Sequence, residues 1–224
     1  TAGIRPMRFE FDTANRIIFG RGTLPEAAPT AAALGTRALI IHGQRPEPAA
    51  TLSALLRDAR VATTPFVVEG EPTTDTAVAA TQTARAAGCN LVISLGGGSA
   101  IDTGKAVAAL LANGGEPLDY LEVIGAGRKI ERPSAPFVAV PTTSGTGSEV
   151  TRNAVLASPE HRVKVSLRSV LMLPRLALLD RHHRRVAVGI AQHDTLGQRV
   201  GVEQHRVLAR AGQLDEERAL VVGG

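Results

Sequence analysis

Gly96-Gly97-Gly98-Ser99 stands directly after an apolar run at residues 91–95 and directly before a helix-like stretch at 99–112. Glycines let a backbone approach a ligand closely, in conformations that other residues resist. Ser99 suits a helix N-cap, and the unpaired N–H groups of a first helical turn attract an anion such as a pyrophosphate. The spacing is not GxGxxG, so the common dinucleotide fingerprint does not apply. A tight strand-to-helix turn with no ligand would also use glycine, but needs fewer than three in a row. Asp102 and Lys105 follow at spacing three on the same helix. They read either as a surface ion pair or as ligand groups.

A second polar cluster, Pro141-Thr142-Thr143-Ser144-Gly145-Thr146-Gly147-Ser148-Glu149, closes another apolar run at 137–140. Its five hydroxyls among small residues offer donors and acceptors without bulk, which suits phosphate or ribose contacts, or equally a solvated loop. Two such loops at the ends of neighbouring parallel strands lie where open α/β sheets bind ligands.

The elements that carry these loops follow from hydrophobic patterning. Residues 37–42, 65–68, 91–95 and 137–140 read as strands, and 48–60, 74–87 and 99–112 as the intervening helices. Strands apolar on both faces, alternating with helices, predict a parallel sheet covered on both sides. Ahead of them, residues 8–11 and 16–19 read as the two strands of an N-terminal β-hairpin, and Thr23 as the cap of a helix starting at Leu24-Pro25-Glu26. Residues 153–157, 163–167 and 176–179 read as further strands. The fold class is therefore α/β, a parallel sheet with helices on both faces.

The 224 residues are 44% hydrophobic and 21% charged, an ordinary globular composition that excludes disordered, fibrous and disulfide-scaffold classes. One cysteine, Cys89, forms no internal bridge, and nothing in the sequence resembles a secretory leader or an apolar span of membrane length. A cytoplasmic protein with no membrane partner is expected. Net charge is +4, but only Lys105, Lys129 and Lys164 are lysines, the arginines are scattered, and aromatics are 3%. Those features argue against a nucleic-acid partner.

Gly96-Gly97-Gly98-Ser99-x-x-Asp102-x-x-Lys105, the 141–149 segment, Lys164 and the Phe19-Gly20-Arg21-Gly22 turn together resemble the iron-containing (group III) alcohol dehydrogenases, from about residue 8 to Asp180. The resemblance implies a Rossmann-like dinucleotide-binding domain with a cofactor, NADP or NAD, in a cleft that a helical second domain normally closes. By position, Gly97, Gly98 and Ser99 would hold its pyrophosphate, and Gly43, Gly96 and Asp102 would belong to the same cofactor site. Thr142 and Thr143 would face the cofactor, with Thr151 and Lys164 on its ribose and phosphate side. It also implies an oxidoreductase that transfers a hydride between nicotinamide and a small alcohol, aldehyde or ketone. No residue is assigned as proton donor.

Where the family often carries a carboxylate against the adenosine ribose, this chain has Gly43, followed by Gln44 and Arg45. Losing that carboxylate removes repulsion of a 2′-phosphate, and Arg45 can contact one, so the reading leans to NADP or dual use. The family's divalent metal, Fe2+ or Zn2+, is held by one aspartate and three histidines. Asp194 has the position of the aspartate, but Gln198 stands where the first histidine belongs, and Gln is a poor ligand beside imidazole. His182, His183, His193 and His205 show no ligand spacing. The expected organisation is a dinucleotide-binding domain at 1–180 and, at 181–224, a divergent remnant of a helical domain that is largely missing. Apolar surface left bare by that domain would favour a homodimer. A nucleotide-binding remnant without catalysis, and a non-enzymatic interaction protein, are the competing readings.

Overall fold

Runs such as Leu39-Ile40-Ile41 and Val92-Ile93 leave no polar face on a strand, so both sides need covering. The computed structural model describes residues 10–180 and the backbone of 185–186, and it meets that need with helices on both faces of a parallel sheet. In chain order, β1 (Ile17–Gly20) leads through a 3-10 turn (Leu24–Glu26) into α1 (Ala27–Leu34). β2 (Arg37–His42), α2 (Glu47–Asp58), β3 (Ala62–Val67), α3 (Thr74–Ala86), β4 (Leu91–Gly96) and α4 (Gly98–Asn113) follow as strict alternation. After α5 (Pro117–Tyr120) come β5 (Phe137–Pro141), the two-residue β6 (Thr143–Ser144), β7 (Asn153–Ser158), β8 (Val163–Arg168), β9 (Leu176–Asp180) and β10 (Arg185–Val186).

Six strands form one sheet in the order β1-β9-β5-β4-β2-β3, every neighbouring pair parallel. Alternate residues face opposite layers. Ala38, Ile40, Leu91, Ile93, Val138 and Val140 meet Ala27, Ala31, Leu52 and Leu56 of α1 and α2. Leu39, Ile41, Val92, Phe137 and Ala139 meet Ala80, Ala84, Ile101, Val107 and Ala108 of α3 and α4. The antiparallel pair β7–β8 then covers the far side of α3 and α4, setting Ala154, Leu156, Val165 and Leu167 against Ala77, Ala106, Ala109 and Leu110. Every residue of α4 from Ala100 to Leu110 is buried as a result. Among the described residues no helix is long and apolar enough to cross a membrane.

A helix enclosed on all sides has to approach its strand closely, and Gly104 permits this. A Cβ there would lie 2.0 Å from Ser94 Oγ and 2.7 Å from Phe137 Cε2. Gly104→Ala is expected to cost about 1–3 kcal/mol through overpacking, despite the better helix propensity of alanine. A urea midpoint equal to or above that of the parent would refute this.

Three local expectations are corrected. Residues 16–19 are not a hairpin strand but join the main sheet: β1 runs parallel to β9, Ile17 opposite Ala177 and Gly20 opposite Asp180, while Glu10 and Phe11 lie in no strand, and residues 8 and 9 fall outside the described residues. Both faces of β1 are apolar, Ile18 packing on one core cluster and Ile17 and Phe19 on another, which only a place in the sheet satisfies. Thr23 makes no side-chain cap; the buried carboxylate of Asp180 instead accepts from Gly22 N and Leu24 N, both at 3.0 Å. β3 begins at Ala62 rather than Pro65, because all six residues register against β2, and an edge strand tolerates the proline.

Candidate functional site

From β2 the chain moves outward to β3 at the sheet edge, then crosses back to β4 and on to β5. The winding therefore reverses between β2 and β4, and a crevice opens beyond the carboxyl ends of strands at such a reversal. Gly43 follows β2 and Gly96 ends β4, and a Cβ on Gly96 would stand 3.5 Å from Gly43 N. The two glycines meet at the floor of that crevice.

α4 starts there. Its N-cap is Gly97 in extended conformation, so Ser99 lies inside the first turn instead of capping it. A backbone cap suffices because Ile101 N–H already bonds Gly97 O at 3.1 Å, and the Ser94 hydroxyl takes Ala100 O at 2.8 Å. The first-turn N–H groups ahead of Ile101 have no partner within the helix, so they form a site of partial positive charge.

The hydroxyl-rich loop after β5 faces this turn. Thr142 N–H donates to Gly96 O at 2.8 Å, fastening the two loops together. A methyl group at Gly97 would lie 3.3 Å from Thr143 Oγ1, and one at Gly98 would lie 3.4 Å from Ser148 Oγ and 3.5 Å from Thr146 Cγ2. The Thr146 hydroxyl is buried without a hydrogen-bond partner among the described residues. A loop that turns at Gly145 and Gly147, both at positive φ, brings it there. Between the loops is a small cradle lined by backbone N–H groups and hydroxyls, with room that a Cβ at Gly98 would fill. Its donor set fits a phosphate group.

Lys105 holds the far end of that second loop. Its side chain is fully buried, and Nζ donates to Ser148 O (2.9 Å), Thr151 O (3.5 Å), Thr151 Oγ1 (3.2 Å) and Asn153 O. Asp102 Oδ1 lies 3.1 Å from Nζ, and Oδ2 accepts from Val155 N at 3.2 Å. The pair at spacing three is thus an ion pair but not a surface one. Burial pushes the Asp102 carboxyl above its usual 3.8, and the Lys105 ammonium opposes that shift. Together the two residues tie α4 to the loop and to the start of β7.

The remaining residues expected from the sequence fall in different places. Gly43 is half-buried with open space around its Cα, and Arg45 is exposed. Thr142 and Thr143 lie in the loop described above. Thr151 is turned to Lys105 and Ser148 O rather than to open crevice. Lys164 is exposed on β8 and pairs with Glu71. Asp194 and the four histidines between 182 and 205 lie outside the described residues. Among the described residues no three His, Cys, Asp or Glu side chains come together as a metal site, so these residues alone do not fit an iron or zinc ion. Thr146 and Ser148 belong to the hydroxyl cluster that the sequence points to, whereas Gly104 and Glu71 stand in no motif legible there. A glycine inside a helical pattern was the one available signal, for Gly104.

Residues 14–181 match the family model described as iron-containing alcohol dehydrogenase. The chain is 34% identical over 183 residues to a sulfoacetaldehyde reductase of Bilophila wadsworthia, covering 78% of this chain and 45% of that protein. In structure it resembles a 1,3-propanediol oxidoreductase (TM-score 0.74, 27% identity, 80% of this chain and 47% of the other). It also resembles a sulfoacetaldehyde reductase of Bifidobacterium kashiwanohense solved with NAD+ (TM-score 0.70, 26% identity, 78% and 46%). The chain spans less than half the length of these three relatives. With the sheet order, the glycine turn and the family match all covering one continuous stretch, the chain belongs to the iron-containing alcohol dehydrogenase family.

Proposed function

We propose that residues 1–180 form the dinucleotide-binding unit of an NAD(P)-dependent oxidoreductase acting on a small alcohol, aldehyde or ketone. The observation that carries this is the cradle at the winding reversal, where the N-terminus of α4 faces Thr143, Thr146 and Ser148 across glycines without side chains. The relatives are named as a reductase and an oxidoreductase, and one was solved with NAD+, which supports the same reading.

When bound, the nicotinamide supplies the carbon that gives or takes the hydride. This chain's own contribution is to hold it. First-turn N–H groups of α4 and the Thr146 and Ser148 hydroxyls bind the pyrophosphate, Gly97 and Gly98 let it approach the backbone, and Thr142 and Thr143 orient the ribose beyond it. Lys105 and Asp102 keep the second loop at the right distance without touching the ligand.

Titration with NADH and NADPH, followed by nicotinamide fluorescence, tests the reading. The chain has no tryptophan, so the background is low. Saturable binding supports it, and no binding of either cofactor overturns it. Cofactor choice has its own test. Nothing lies within 4 Å of a Cβ at Gly43, so a carboxylate is sterically accepted there. Gly43→Asp is expected to shift the NADPH/NADH affinity ratio toward NADH by on the order of tenfold, through repulsion of the 2′-phosphate. An unchanged ratio would place the ribose elsewhere.

A further inference from the structure

Lys164 Nζ and Glu71 Oε1 form an ion pair at 2.5 Å between segments 93 positions apart, with the side chains 61% and 63% exposed. Exposed pairs add little to stability. The backbone already fastens the same two segments: Ala157 N–H donates to Pro72 O at 2.8 Å, Thr73 bridges Ala157, and Ala157 stands opposite Lys164 in the β7–β8 pair. The side-chain pair is thus not needed to fasten β7 and β8 to the segment ahead of α3.

Its position gives it another use. Val67 registers with His42, and Val68 N–H donates to His42 O at 2.8 Å, so residues 69–73 leave the sheet beside Gly43. Gly43 in turn lies against Gly96. Glu71 and Lys164 therefore stand at the carboxyl edge of the sheet, on the rim of the crevice.

We infer that Glu71 is an internal competitor of the cofactor: it holds the Lys164 ammonium while the crevice is empty and yields it to a phosphate of the entering dinucleotide. The inference rests on the crevice being a dinucleotide site. A carboxylate and a phosphate compete for the same Nζ. Glu71 thereby weakens binding, and because both groups face water the effect is screened by salt. Glu71 is a positioning residue in this scheme; it acts on the ligand through Lys164.

Cofactor titrations on the full chain and three variants decide the matter. Glu71→Gln keeps the shape and removes the charge, and is expected to tighten NADH and NADPH binding by about three- to tenfold at low salt. That gain should shrink as salt rises. Lys164→Met should weaken binding, and adding Glu71→Gln to Lys164→Met should change Kd by less than about twofold. The thermal midpoint of Glu71→Gln should match the parent, since a stabilising role would lower it. Equal or weaker binding by Glu71→Gln, with saturable binding by the parent, overturns the inference alone. A gain that persists in the Lys164→Met background also overturns it, because Glu71 would then act without Lys164. A parent chain that binds neither cofactor overturns the dinucleotide reading, and the inference falls with it.

Discussion

Lys105→Met is expected to lower folding stability by about 3–5 kcal/mol, the range for removing one partner of a buried ion pair. Methionine fills nearly the same volume, so lost packing contributes little. What is lost is the donor that serves Ser148 O, Thr151 O and Asn153 O together, and the cation beside a buried carboxylate. The variant should also show a particular pH dependence. Asp102 is already raised above 3.8 by burial, and removing Lys105 removes the charge that opposes the rise. A carboxyl whose folded value lies above its unfolded one makes the folded state bind the extra proton. The associated stability is complete below 3.8 and declines as pH climbs through the folded value. The deficit of Lys105→Met relative to the parent should therefore be smaller near about pH 5 than near about pH 8. Asp102→Asn added to Lys105→Met should recover part of it at the higher pH. Denaturant midpoints across that range check all three statements; a deficit that does not vary with pH would mean that Asp102 is not the group left uncompensated.

Gly98→Ala separates a ligand cradle from a mere turn. In the protein alone a methyl group at this position makes only ordinary contacts, 3.4 Å to Ser148 Oγ and 3.5 Å to Thr146 Cγ2, and the backbone φ is not in the left-handed region. Alanine in a first helical turn is well tolerated, so stability should stay within about 0.5 kcal/mol of the parent. The methyl group nonetheless fills the space that a pyrophosphate would enter. Affinity for NADH and NADPH is expected to fall by about thirtyfold or more, roughly 2 kcal/mol. Parent-like binding by a folded Gly98→Ala chain would remove the cradle from the site.

Much of this architecture could be read from sequence because its determinants are local. Leu91 to Leu95 is apolar at nearly every position, and only a strand buried on both faces accepts that pattern. The glycine turn announces itself in the same way, by three residues that lack side chains where a helix begins. What sequence reading missed depends on partners far away in the chain. Ser99 was a sound cap by type, but helix start is decided by where β4 ends, and the backbone of Gly97 took the place. For Lys105 the sequence leaves a surface ion pair and a ligand role both open, and neither is a buried strut. Its neighbours Ala106 to Leu110 are apolar on every side of the helix, however, and that composition pointed to an enclosed helix and a buried ammonium. For β1 the sequence favours pairing with its neighbour in the chain, whereas its partner β9 lies across the whole domain.

That last pairing fixes an order of events during synthesis. β2, β3, β4 and β5 arise from successive strand–helix units and can assemble as they leave the ribosome. β1, made before all of them, has no strand to join until β9 appears. The Asp180 carboxylate that holds the Gly22–Leu24 turn is 156 to 158 positions downstream of the groups it binds. Closing so long a loop is entropically costly and comes late. A nascent chain halted before Leu176 would thus carry both loops of the cradle on β4 and β5, while its first strand still waited for a place in the sheet.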